Sequence, residues 1–127
     1  MVAALVGWTA FVWTTRIGNV WRDHALDAGQ KLGRTGLALS FTALAAVVLV
    51  AYVQRRSWLP AAVLVLAGWT AGVWVERSVK IATGHHSGAF IAVHVVLAVI
   101  SIVLSAVTVV RLRAQPASDL SPTSAHR

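Results

Sequence analysis

The chain has 127 residues, 57% of them hydrophobic and 12% charged, with a mean hydropathy of +0.73. Soluble chains carry roughly 25% charged residues, so a water-soluble domain is excluded and a protein of the cell (plasma) membrane is expected. Eleven Lys and Arg against four Asp and Glu give a formal charge of +7. With no soluble part to present a basic face, that charge is expected to meet a lipid bilayer with anionic head groups, not nucleic acid. There is no cysteine, which excludes disulfides, thiolate metal sites and thiol catalysis.

Residues 1–15 are apolar apart from threonines, and no basic region precedes them, so a cleavable signal peptide is not expected. Fifteen residues of helix cover about 22 Å, short of a hydrocarbon core of ~30 Å, so the first span is expected to run past Arg16 to about residue 21. From Ile17 to Leu32 the stripe Ile17, Val20, Trp21, Ala25, Ala28 and Leu32 predicts a short interfacial helix, interrupted at Gly29 and Gly33, with Asp27 and Lys31 as an i, i+4 pair. Thr35 to Val53 is uncharged and predicts a second span. Gln54, Arg55, Arg56 and Ser57 form a tight basic turn, which makes spans two and three antiparallel neighbours.

The third span is expected over 58–76, with Pro60 in its first turn, where a missing N–H costs least. Gly68 and Gly72 form a GxxxG pattern there, which would let another backbone approach closely. A connection over 76–87 leads to a fourth span, 88–110, interrupted by His94. The tail 111–127, rich in Pro and Ser, is expected to be disordered.

The stretch Gly7-Trp8-Thr9-Ala10-Phe11-Val12-Trp13-Thr14-Thr15-Arg16 returns at residues 68–77, 61 positions later, with seven of ten residues identical. The same offset carries His24 onto His85. Because the second copy follows two crossings, both copies run in the same direction. The expected fold class is therefore all-α. It is an integral membrane four-helix bundle over residues 1–110, made of two parallel helical-hairpin repeats (about 1–53 and 58–110). Phe11 stands where the second copy has Gly72, so Phe11 is expected to fill the gap at Gly72.

Trp13, Arg16, Trp74 and Arg77 lie at the ends of apolar runs and are expected to be membrane-interface anchors, indole at the boundary and guanidinium reaching to phosphates. Their i, i+3 spacing allows a cation–π contact within each pair. Lys and Arg are nearly balanced between the two faces, six against five, so the positive-inside rule assigns no orientation.

No span holds a paired carboxylate, and residues 1–15 hold no acid, which excludes a transporter built on a carboxylate in its first helix. The histidines remain. His24 and His85 sit on one side of the membrane, and with His94 they could bind haem or a transition metal. His85 and the adjacent His86 are the candidate metal pair. His94 heads a stripe with Ala98, Ser101, Ser105 and Thr108 at heptad spacing, expected to face the bundle interior. A histidine there serves either as hydrogen-bonding glue, to a Trp indole or to Ser40 or Thr42, or as a functional group.

Residues 7–17 and 89–102 resemble small multi-pass membrane proteins of actinobacteria. The resemblance implies a membrane location and a four-span layout, and it implies no activity. The reading from sequence is a non-enzymatic membrane protein without a cofactor: a scaffold, an accessory subunit or an oligomer-forming component. The alternatives are a haem- or metal-binding redox protein using His24, His85 and His94, or a small oligomeric transporter or channel with His94 in its path.

Overall fold

The computed structural model describes residues 1–85 and 87–114. The tail expected to be disordered therefore lies almost wholly outside the described residues, as does His86. Four helices follow one another: α1 (Val2–Arg22), α2 (Ala28–Val53), α3 (Leu59–Thr83) and α4 (Gly88–Arg113). They form a closed ring in which α1 packs on α2 and α4, and α3 packs on α2 and α4. The chain alternates direction: Met1, Tyr52, Leu59 and Arg111 gather at one end of the bundle. Arg16, Arg34, Arg77 and Phe90 gather at the other.

Unlike a soluble bundle, this one is apolar on its outside and admits polar groups to its interior. Its interior holds Thr9, Thr70, His94, Ser101, Ser105 and Thr108 beside the apolar core of Leu5, Phe41, Val48, Val63 and Leu66. Its outer surface shows Leu39, Val47, Leu64, Val65, Val95, Val96, Val99 and Val103. Water would penalise that exterior, whereas lipid tails are as apolar as it is. Helices α2, α3 and α4 are long and apolar enough to cross a membrane. The sequence led to an expectation of four such segments; among the described residues three helices qualify. Helix α1, at 21 residues, is long enough, but Trp8, Thr9, Trp13, Thr14, Thr15, Arg16 and Asn19 dilute its hydropathy.

Local chemistry sets the helix ends. Asp27 caps α2, its carboxylate accepting from the Gln30 backbone N–H at 2.8 Å while the Gln30 side chain accepts from the Asp27 N–H, a reciprocal capping box. That cap starts α2 at Ala28 and corrects the expected interfacial helix over 17–32. Residues 17–22 belong to α1, residues 28–32 to α2, and Asp27 is a cap instead of a partner for Lys31. At the far end of α2, Arg55 adopts φ 50° while its N–H reaches Tyr52 and the Arg56 N–H reaches Ala51 at 2.9 Å. This is a Schellman closure with arginine where glycine is usual.

Helix α3 runs seven residues past the expected exit at 76, to Thr83, and Glu76 and Lys80 pair across that extra length. The connection is correspondingly short. Two packing expectations are corrected. A Cβ added at Gly68 or Gly72 would meet nothing within 4 Å, so among the described residues the GxxxG pattern serves no close approach between helices of the one chain. Phe11 is 63% exposed and turned toward Trp8, away from Gly72, because α1 and α3 are not neighbours in the ring.

Candidate functional site

The buried face of α4 is His94, Ala98, Ser101, Ser105 and Thr108, the stripe read from heptad spacing. The hydroxyls of Ser101 and Thr108 turn back to donate to Leu97 and Leu104 carbonyls, each at 2.7 Å, as isolated hydroxyls in helices commonly do. Ser101 additionally accepts from the Trp8 indole at 3.0 Å, tying α4 to α1. On the other side of the bundle the Trp69 indole donates to Ser40 at 3.1 Å, tying α3 to α2. Trp8 and Trp69 are 61 residues apart, and so are Ser40 and Ser101.

His94 lies at the end where the arginines collect. Its Nδ1 is 2.9 Å from the Phe90 carbonyl, an acceptor, which assigns the proton to Nδ1. Its Nε2 then accepts from the Arg16 guanidinium at 3.4 Å, and the Phe90 ring packs against the imidazole with centroids 4.0 Å apart. The partners of His94 are thus Arg16 and Phe90, where a Trp indole, Ser40 or Thr42 was expected.

Trp13 and Trp74 are both buried, so these indoles face protein and not the outer boundary their positions had suggested. Trp13 stacks on Phe41 with centroids 3.9 Å apart and planes 10° from parallel. Arg77 lies 5.7 Å above the Trp13 ring, a cation–π contact between helices where one within each helix was expected. The burial of Trp13 fixes Arg77, and the histidine fixes Arg16. His24 and His85 are exposed in the two connections at this end. The structure gathers His94 with Arg16 and Arg77 around shared cavities, and the lining of those cavities includes neither His24 nor His85.

Two cavities meet at this cluster, sharing Arg16, Arg77, Phe90 and His94. One, about 320 Å³, runs along the seam between α1 and α4 and continues past Asn19 and Thr15 to Phe11, Val93 and Leu97. The other, about 410 Å³, opens toward Arg34 on α2 and Lys80 on α3. The sequence reading missed Asn19, Arg34 and the Trp–Ser pairs. The pairs were findable, since Ser40 and Ser101 share the offset of the repeated tryptophans. Arg34 carried no such signal.

Neither family models, nor curated proteins, nor solved structures yield a match to this chain.

Proposed function

We propose that the chain is a non-enzymatic integral membrane protein whose four helices all cross the bilayer and which works by association within it. The observation that carries this reading is the aliphatic exterior around an interior that holds hydroxyls and a histidine beside its apolar core. Helix α1 joins the other three as a span because its polar groups are sheltered. Thr9 and Trp13 are buried, Trp8 bonds to Ser101, and Arg16 bonds to His94 near the end. Its 21 residues cover about 31 Å, enough for the hydrocarbon core.

The two halves are related, in this reading, by a pseudo-two-fold axis along the membrane normal. The support is reciprocal: the tryptophan of each half bonds to the serine of the other, at one offset. Association is supported by a furrow between α3 and α4 lined by Ala67, Ala71, Ala106 and Ser105. The Ser105 hydroxyl is buried without a hydrogen-bond partner among the described residues. Small residues let helices approach closely in lipid, and a hydroxyl there can bond across the interface.

Subunit counting in liposomes at low protein density tests this. Two or more copies per particle are expected, dispersed by Ala71→Leu; a monomer that Ala71→Leu leaves unchanged would overturn self-association. A small transporter or channel is the second reading, favoured by the polar stripe of α4 spanning His94 to Thr108, about 21 Å of bilayer depth. Ion or solute flux through liposomes carrying wild type but not His94→Leu would favour it.

A further inference from the structure

The arginine end of the bundle holds more positive charge than the chain itself neutralises. The larger cavity brings Arg16, Arg34, Arg77 and Lys80 together with one carboxylate, Glu76, and that carboxylate is bonded to Lys80. Three guanidinium groups face a shared space with that single carboxylate, which also lies within range of Arg77. The Nε of Arg77 is buried and has no hydrogen-bond partner among the described residues. Guanidinium groups held in place by a stacked indole and an imidazole, with donors unused, match the oxygens of a phosphate.

The neighbouring cavity continues this charged mouth into an apolar groove. Phe11 lies five residues from Arg16 toward the bilayer centre, about 7.5 Å deeper, and Val93 and Leu97 line the opposite wall. The seam between α1 and α4 is the loosest of the four in the ring. Phe11 and Val93, at its rim, are 63% and 57% exposed, so the groove is open sideways to lipid. Cationic at the head-group level and apolar below, it has the polarity profile of one phospholipid molecule.

We infer that the α1–α4 groove is a binding site for a single anionic phospholipid, its phosphate held by Arg16, Arg34 and Arg77 and an acyl chain lying along Phe11, Val93 and Leu97. The inference rests on the chain residing in a bilayer. It differs from general attraction to a charged surface in being a site of defined stoichiometry at one end and one seam. At the opposite end, the cavity lined by Met1, Tyr52 and Leu59 holds Arg111 but not Arg55, Arg56 or Arg113.

The test uses the full chain purified in a neutral detergent, with phosphatidylglycerol and phosphatidylcholine of matched chains added in turn. Bound lipid is read by native mass spectrometry and protection by melting temperature. The expected result is one retained phosphatidylglycerol per chain, preferred ~10-fold over phosphatidylcholine. Arg16→Gln and Arg77→Gln should each weaken retention roughly fivefold. Arg55→Gln with Arg56→Gln should leave it unchanged. Val93→Trp, which fills the groove and spares every charge, should reduce it comparably; it and the wild-type preference decide the matter even if an arginine variant fails to fold. Equal retention of the two lipids, or equal loss on changing Arg55 and Arg56, would overturn the site. Protection by inorganic phosphate equal to that by phosphatidylglycerol would overturn the lipid in favour of a free anion. Stable incorporation into nanodiscs of neutral lipid, measured separately, distinguishes failure of this site from failure of the membrane reading.

Discussion

Compared at the offset of 61 residues, α1 and α3 share four buried positions: Val2 and Val63, Leu5 and Leu66, Thr9 and Thr70, Trp13 and Trp74. Helices α2 and α4 do not. The buried residues of α2 are Ala38, Phe41, Ala45, Val48 and Ala51, whereas α4 buries positions equivalent to 37, 40, 44 and 47, together with His94. The second helix of one half is turned by one residue, about 100°, relative to that of the other. Phe41 therefore enters the core, and its counterpart Ile102 faces outward. In α4 the turn brings Ser101, Ser105 and Thr108 inside. One half of the interior is filled with apolar side chains and closes on itself; the other is polar, and the cavities open where it meets α1. A near-duplicate pair of first helices thus supports two different interiors.

The largest expected effect comes from exchanging the roles of that equivalent pair. Phe41→Ala should cost about 3 kcal/mol or more, since it removes a fully buried ring stacked on Trp13. Ile102→Ala, at the outward counterpart, should stay within about 0.5 kcal/mol. Reversible unfolding in mixed micelles measures both, and equal losses would erase the distinction between the halves.

His94 sharpens the comparison on the polar side. Replacing it with Leu strands the Arg16 guanidinium and should cost about 1 kcal/mol in the same assay, within the range for interhelical hydrogen bonds in membranes. His94→Gln, which keeps an acceptor near Arg16, should cost less than half as much. If Gln and Leu behave alike, the contact to Arg16 contributes nothing. The bland outcome for haem is also checkable by eye: purified protein without a Soret band is expected.

The smallest effects are the two crossed Trp–Ser bonds. Double-mutant cycles of Trp8→Phe with Ser101→Ala, and of Trp69→Phe with Ser40→Ala, should each show coupling of about 0.6 kcal/mol. Coupling in one pair alone would mean that the pseudo-two-fold relation stops at the backbone.

The all-helical fold, the presence of helices apolar enough to cross a membrane and the polar face of α4 were legible, because each rests on composition or on periodicity, which a single chain carries. The helix ends were less so. Apolar runs mark where lipid begins, whereas α2 and α3 extend past them on Asp27 capping and the Glu76–Lys80 pair, which are local polar effects. Phe11 was misassigned because a repeat shows which positions are equivalent but not which helices touch. The burial of Trp13 and Trp74 was hidden for a related reason: an indole before an arginine reads alike whether it faces lipid or a neighbouring ring. The meeting of Arg16, Arg34 and Arg77 depends on three helices closing together, and no spacing in the sequence encodes it.

That α1 crosses the bilayer beside three more apolar helices is the central claim, and counting labels on single molecules tests it whichever way the protein inserts. The chain has no native cysteine, so a variant with one cysteine inserted between Met1 and Val2 and with His24→Cys carries one thiol beyond each end of α1. Sealed vesicles are treated with a membrane-impermeant maleimide, and intact mass reports the labels per molecule. If α1 spans, every molecule takes one label, in either orientation, because each thiol lies outside the 21-residue helix. Molecules carrying two labels or none would place both ends of α1 on the same side and contradict the account.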